Sequence, residues 1–168
     1  MFCSLANRFK TFSSFEQRKE IECCGIICRQ FYNNQVYILV VKGSTSNKWS
    51  LPKGYKYNHE TDKECAIRET YEETGIHIEL DESSVRVPMG RNVYFIMDFN
   101  IDRDSYFRKR CLSPTVLPAI EQEINNEVID IRWMTLEQLR KRKEVCNKDI
   151  RTLISGKKLW FITKIFEE

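Results

Sequence analysis

Residues 54–76 read GYKYNHETDKECAIRETYEETGI, from Gly54 to Ile76. The stretch predicts a helix with a marked start and stop. Thr61 or Asp62 can cap its first turn, Glu60 and Glu64 lie near its positive end, and Gly75 can end it in a left-handed turn. Ala66, Ile67 and Thr70 are placed to face inward. Glu69, Glu72 and Glu73 fall at i, i+3 and i+4, which brings three carboxylates onto one helix face. Their mutual repulsion gives an exposed helix nothing, and a divalent cation removes it. Oxygen-only ligands favour Mg²⁺ or Mn²⁺ over zinc, and such ions clamp pyrophosphates and activate water. Arg68 is placed to pair with a helix carboxylate or to reach back to Glu60. Gly54 permits a tight turn whose carbonyl could also reach the metal. Lys53 is positioned to meet phosphate charge in a transition state.

Working outward, Ile21–Arg29 and Val36–Lys42 predict two strands joined by a turn at Asn33-Asn34. Residues 43–47 (GSTSN) predict a loop before Trp49. Beyond the helix, strands are expected at Ile76–Leu80, Ser84–Pro88, Asn92–Asn100 and Glu127–Met134, with a long basic loop over residues 101–119. Thr135-Leu136-Glu137-Gln138 has the form of a capping box that starts a second helix. A last helix is expected from Asp149 to Phe166, with Ile150, Leu153, Ile154, Trp160, Phe161 and Ile165 near helical spacing. Residues 1–19 are expected to form an arm, and residues 20–168 one domain of the α/β class.

Composition narrows the function classes. The chain has 168 residues and a net charge of +3, enough for one hydrophobic core and too near neutral for charge alone to name a partner. Residues 54–82 carry nine acidic and three basic side chains, whereas residues 132–168 carry ten basic and five acidic ones. A metal site beside an anion-binding surface fits this segregation, as do two solvated helix faces. The seven cysteines form no CxxC pair and only His59 and His77 are available, which argues against zinc. Cys23, Cys24 and Cys28 lie in an apolar run and are expected as reduced core residues. Arg8 and Lys10 interrupt any signal-peptide core, and no run approaches a membrane span. A cytoplasmic or nuclear protein is expected.

The stretch from Gly54 resembles the Nudix box: Gly, five residues, Glu, seven residues, Arg-Glu-aliphatic-x-Glu-Glu-x-Gly-aliphatic. Gly54, Glu60, Arg68, Glu69, Glu72, Glu73, Gly75 and Ile76 match at the required spacing. Thr70 departs from the usual aliphatic residue. The resemblance implies an α/β/α sandwich around a mixed sheet, metal-dependent hydrolysis of a phosphoanhydride bond, and metal ligands at Glu69, Glu72 and Glu73.

Trp49 to Tyr55 (WSLPKGY) and Asn126 to Trp133 (NEVIDIRW) are similar to segments of the mRNA-decapping branch of that family, with Leu51 and Tyr55 departing from its pattern. This resemblance implies a further catalytic and metal-binding glutamate at Glu127, with Trp49, Lys53 and Tyr55 facing substrate. It also likens KKLWFITKIFEE at the C-terminus to a basic-aromatic RNA-binding helix, with Lys157, Lys158 and Lys164 on phosphates; Trp160 and Phe161 suit a core equally well. Arg140–Lys143 and Arg108–Arg110 offer further phosphate contacts or solvated faces. The helical regulatory domain that precedes the catalytic domain in cellular decapping enzymes, and supplies cap contacts and an activator interface, has no counterpart in these residues. The implied function is cleavage of capped RNA to 7-methyl-GDP and 5′-monophosphate RNA, with a protein activator as an expected partner. Hydrolysis of dinucleoside polyphosphates or diphosphoinositol polyphosphates is the alternative within the family. A non-catalytic RNA-binding module is the alternative outside catalysis.

Overall fold

The computed structural model describes residues 21–32, 34–99 and 127–156. The apolar run after residue 21 forms β1 (Cys23–Tyr32) and the next forms β2 (Gln35–Gly43). They pair as an antiparallel hairpin from Tyr32↔Gln35 to Arg29↔Ile38, with Asn34 at φ 57° in the turn. Beyond that register the two strands part, and two short strands fill the gap. β3 (Trp49–Ser50) pairs with β2, and β4 (Lys53–Tyr55) pairs with β1. Helix α1 (Asp62–Thr74) follows, then β5 (Arg86–Met89) and β6 (Asn92–Phe99). β6 runs parallel to β1 from Cys23↔Asn92 to Gln30↔Phe99 and antiparallel to β5. β7 (Val128–Thr135) pairs with β2, and α2 (Leu136–Lys141), a 3₁₀ turn (Lys143–Val145) and α3 (Lys148–Ile154) complete the described chain. The result is one mixed seven-stranded sheet.

Strand alternation divides the core into two layers. Cys24, Ile26, Cys28, Leu39, Val41, Val93 and Phe95 face α1 and meet Cys65 and Ala66. Ile27, Ile38, Val40, Tyr94 and Ile96 face the other way and meet Leu139, Ile150, Leu153 and Ile154 of α2 and α3. This is the expected α/β/α sandwich. Among the described residues no helix is long and apolar enough to cross a membrane.

Two sequence expectations fail. Residues 76–80 form no strand; Ile78 is buried, so the alternation marked an inward side chain, but the backbone has no sheet edge to pair with. The last helix does not run unbroken from Asp149 to Phe166. It starts at Lys148, capped by Asn147, and ends at Ile154; Gly156 takes φ 100°, which an α-helix cannot contain. The expected arm over residues 1–19, the loop over 101–119 and the basic-aromatic segment from Lys157 lie outside the described residues.

The fold brings β4 against β1 through Gly25. A Cβ there would meet the Pro52 carbonyl oxygen and Lys53 backbone and Cβ atoms, none of which is the mobile end of a side chain. Gly25→Ala is therefore expected to cost about 1–3 kcal/mol, the range for overpacking. A fall in denaturant midpoint with an unchanged m-value checks this.

Candidate active site

Local chemistry sets α1 in place. Thr61 accepts from the Glu64 N–H and Glu64 accepts from the Thr61 N–H, a complete capping box, and Gly75 closes the helix at φ 71°. Cys65, Ala66, Thr70 and Thr74 are buried against the sheet, which turns Glu69, Glu72 and Glu73 toward the β4 loop.

Arg68 is the hub of that loop. Its guanidinium donates to Glu60 through Nε (2.5 Å) and Nη2 (2.9 Å), to Glu69 (2.6 Å) and Glu72 (3.1 Å) through Nη1, and to the Tyr55 carbonyl (2.9 Å). It also lies 4.3 Å from the centre of the Tyr57 ring. The fork holds the Glu60 carboxyl down to about 2, because each hydrogen bond favours the ionised form. The expected Arg68–Glu60 link is thus present. The other expected pairing, with a helix carboxylate, is present as well: the guanidinium reaches Glu69 and Glu72, so the two contacts offered as alternatives occur together.

Gly54 explains the placement of Glu69. The space a Cβ would take at residue 54 is filled by the Glu69 carboxylate, and burial raises that carboxyl above its ordinary range. Behind it, the buried Cys65 thiol faces the Gly54 carbonyl at 3.7 Å.

Glu73 is deeper. Its Oε2 accepts from the Lys53 backbone N–H at 2.9 Å. Burial pushes its carboxyl up to about 8, opposed by that hydrogen bond and the Lys53 charge, and reinforced by Glu69 and Glu127. Glu127 is exposed at the start of β7, tied by its carbonyl to the Ser44 N–H at 2.7 Å. It contributes to the raised proton affinity of both Glu69 and Glu73, so its charge is felt at the box across 54 residues of sequence.

The substrate-facing candidates separate. Tyr55 is 74% exposed beside the loop, whereas Trp49 is 5% exposed within the α2–α3 core layer. Lys157, Lys158 and Lys164 lie outside the described residues. One buried cluster was not anticipated: Asp149 of α3 accepts from Tyr94 Oη (2.5 Å) and Asn92 Nδ2 (2.8 Å). It bolts α3 to the start of β6. No sequence spacing links residues so far apart.

Among the described residues no three carboxylates converge as ready-made metal ligands; Glu69 and Glu72 face Arg68 instead. The donor set nevertheless fits a hard divalent ion. It is all oxygen, two of its carboxyls are driven toward neutrality by burial and like charge, and a guanidinium already serves as partial counter-charge.

Comparison with known proteins bears on the class. The model of the NUDIX domain matches residues 24–153. The chain belongs to the Nudix family of hydrolases. Enzymes of this family generally use divalent metals, in keeping with the carboxylates of this Nudix box. Among curated proteins, mRNA-decapping enzyme subunit 2 of Arabidopsis thaliana is 31% identical over 155 residues, 92% of this chain and 37% of that protein. The mRNA decapping complex subunit 2 of Schizosaccharomyces pombe is 36% identical over 80 residues, 45% of this chain and 11% of that protein. The chain thus spans about a third or less of the length of these relatives. Among solved structures, an Ap4A hydrolase of C. elegans shares the fold at TM-score 0.52 and 18% identity, covering 80% of this chain and 92% of that one. The NUDIX domain of NrtR from Shewanella oneidensis, solved with ADP ribose, gives 0.52 and 17%, covering 80% and 84%.

Proposed function

We propose that this Nudix hydrolase removes the cap from RNA, releasing 7-methyl-GDP and a 5′-monophosphate RNA. The observation that carries the reading is the likeness to a decapping subunit across 92% of the chain, with all the box carboxylates present. Glu69, Glu72, Glu73 and Glu127, with the Gly54 carbonyl, are the residues to hold Mg²⁺ or Mn²⁺. When bound, the ion supplies charge neutralisation at the pyrophosphate and an activated water.

The chain's own residues supply the rest. Lys53 presents its ammonium where phosphate charge accumulates, and its N–H fixes one oxygen of Glu73. Glu73 and Glu127 are the candidate bases: the first is half-buried with a raised proton affinity, the second is open to solvent. Arg68 holds Glu60, Glu69 and Glu72 in register and acts as a positioning residue. Tyr55 and the lysines at 157, 158 and 164 belong to the substrate side of this proposal, as do a cytoplasmic site of action and a protein activator; Trp49, buried in the α2–α3 core layer, does not.

The test is product analysis, with Mg²⁺ or Mn²⁺, on cap-labelled RNA, free cap dinucleotide and diadenosine tetraphosphate. RNA-linked cap is expected to be cut far faster than the free dinucleotide, and equal or better cleavage of the free dinucleotide would sink the reading. The Leu51-Pro52-Lys53-Gly54 sequence favours a second reading, hydrolysis of dinucleoside polyphosphates. Rapid release of ATP from diadenosine tetraphosphate, with capped RNA untouched, would establish it.

A further inference from the structure

The loop between β4 and α1, residues 56–61, carries two exposed rings beside the carboxylates of the box. The Tyr57 ring, 53% exposed, lies 4.3 Å from the Arg68 guanidinium. That guanidinium in turn donates to Glu69 at 2.6 Å and to Glu72 at 3.1 Å. The exposed His59 imidazole lies 5.8 Å from the Tyr57 ring at an interplanar angle of 13°, an offset-stacked arrangement that aromatic pairs favour. Guanidinium, phenol and imidazole thus follow one another from the carboxylates out to solvent.

Covering Arg68 accounts for Tyr57 and leaves His59 without a structural task. Among the described residues the His59 side chain makes no hydrogen bond and no ion pair; its printed contact is the Tyr57 ring. The backbone beneath the rings is nevertheless well tied. The Tyr57 N–H donates to Glu60 Oε2 at 3.0 Å, and the Glu60 N–H donates to the Tyr57 carbonyl at 3.1 Å. Arg68 holds the Glu60 carboxylate through Nε at 2.5 Å and the Tyr55 carbonyl through Nη2 at 2.9 Å. The rings are therefore presented by a loop that the fold has already ordered, which lowers the cost of using them to bind.

A substrate cut at the box carries a nucleoside on each side of the cleaved pyrophosphate. Each base has a flat π-face, and an exposed, pre-placed ring next to the reacting phosphates suits it. We propose that Tyr57 and His59 form a stacking platform for a nucleobase flanking the cleaved bond, with His59 meeting the base and Tyr57 setting the His59 ring. The assignment rests on the decapping reading for its substrate, and it deepens that reading by naming residues that recognise the cap base or the first base of the RNA.

The two products separate those sources, because 7-methyl-GDP carries one base and 5′-monophosphate RNA the other. The test measures the Kd of each by calorimetry with Mg²⁺, for the native chain, His59→Ala and His59→Phe. The substitutions fall at an exposed position, and thermal melts matched to the native chain check that both variants fold. His59→Ala is expected to bind one product about fivefold or more weakly, the loss of one stacked base. His59→Phe keeps a ring and should stay within about twofold of the native chain. Loss with 7-methyl-GDP assigns the platform to the cap base, and loss with the RNA assigns it to the first transcribed base. On capped RNA, KM of His59→Ala should rise with kcat changed less than about twofold. Native affinity of His59→Ala for both products overturns the proposal. So does an equal loss for both, or a loss in His59→Phe as large as in His59→Ala. Failure of the decapping reading is separate: the native chain would then cut no capped RNA. In that event ATP, the product of diadenosine tetraphosphate cleavage, becomes the probe. Weaker binding by His59→Ala with His59→Phe unchanged upholds the platform, and unchanged binding by both overturns it.

Discussion

Glu73→Gln should lower turnover by about 10³-fold or more while leaving the protein folded. The side chain is half-buried, Gln occupies the same space, and its amide oxygen can still accept from the Lys53 N–H. What disappears is the carboxylate: a ligand for the divalent ion and a candidate base. Loss of a positioned base alone removes about 10²–10⁴ in rate, and loss of metal affinity adds to that. The stability consequence has the opposite sign. The Glu73 carboxyl is raised from 4.5 to about 8 by burial. In metal-free protein its ionisation therefore favours the unfolded chain as pH rises from 4.5 toward 8. Gln cannot ionise, so in chelator at pH 8 the variant should melt no lower than the native chain. Steady-state turnover on the cleaved substrate and paired melts with and without Mg²⁺ measure both halves. A variant that turns over normally removes Glu73 from catalysis. A variant that melts well below the native chain in chelator shows that the site tolerates the buried carboxylate better than its surroundings suggest.

What could be read from sequence here was local. The box, the two capping boxes at Thr61 and Thr135, and the Asn34 turn each depend on residues within a few positions of one another. The alternation of β1, β2 and β6 was legible because each strand is long enough to show its period. β3 and β4, with two and three residues, are too short to show one; they exist because the parting of β1 from β2 exposes edges that must be paired. The expected strand at Ile76–Leu80 failed for the converse reason: it has the right period and no edge to meet. Gly156 is a helix terminator at φ 100°, but apolar spacing resumes after it and masks the stop. At the site, the i, i+3, i+4 geometry placed the three glutamates, yet the capture of Glu69 by the Gly54 cradle and the bond from Asp149 to Tyr94 depend on pairings made only in three dimensions. The placing of Lys42 and Arg132 over the Trp49 ring is of the same kind, since it follows from the β2–β7 register.

Arg68→Ala should have the largest effect on stability of any single change in the box, and its pH dependence identifies the cause. The Glu60 side chain is only 8% exposed and receives two of the guanidinium's hydrogen bonds. Removing Arg68 leaves that carboxylate without its partner and leaves Glu69 and Glu72 facing each other. Breaking a fully buried pair costs about 3–5 kcal/mol; with Arg68 22% exposed, about 2–3 kcal/mol at pH 7 is expected. The sign follows from the folded-state shift. Glu60 is lowered from 4.5 to about 2 by Arg68, so the pair's stabilisation is fully present above pH 4.5 and is lost as pH falls through 2. The gap between native and variant in urea melts should therefore be widest near neutrality and should narrow by pH 3. A gap of equal size at both pH values would assign the loss to the stacking of Arg68 on Tyr57. Arg68→Lys separates charge from geometry. An ammonium is a point charge and cannot reproduce the fork that joins Glu60, Glu69, Glu72 and the Tyr55 carbonyl. Lys should therefore restore part of the neutral-pH stability and little of the turnover, because the carboxylates it leaves unaligned are the ones that must gather around the divalent ion.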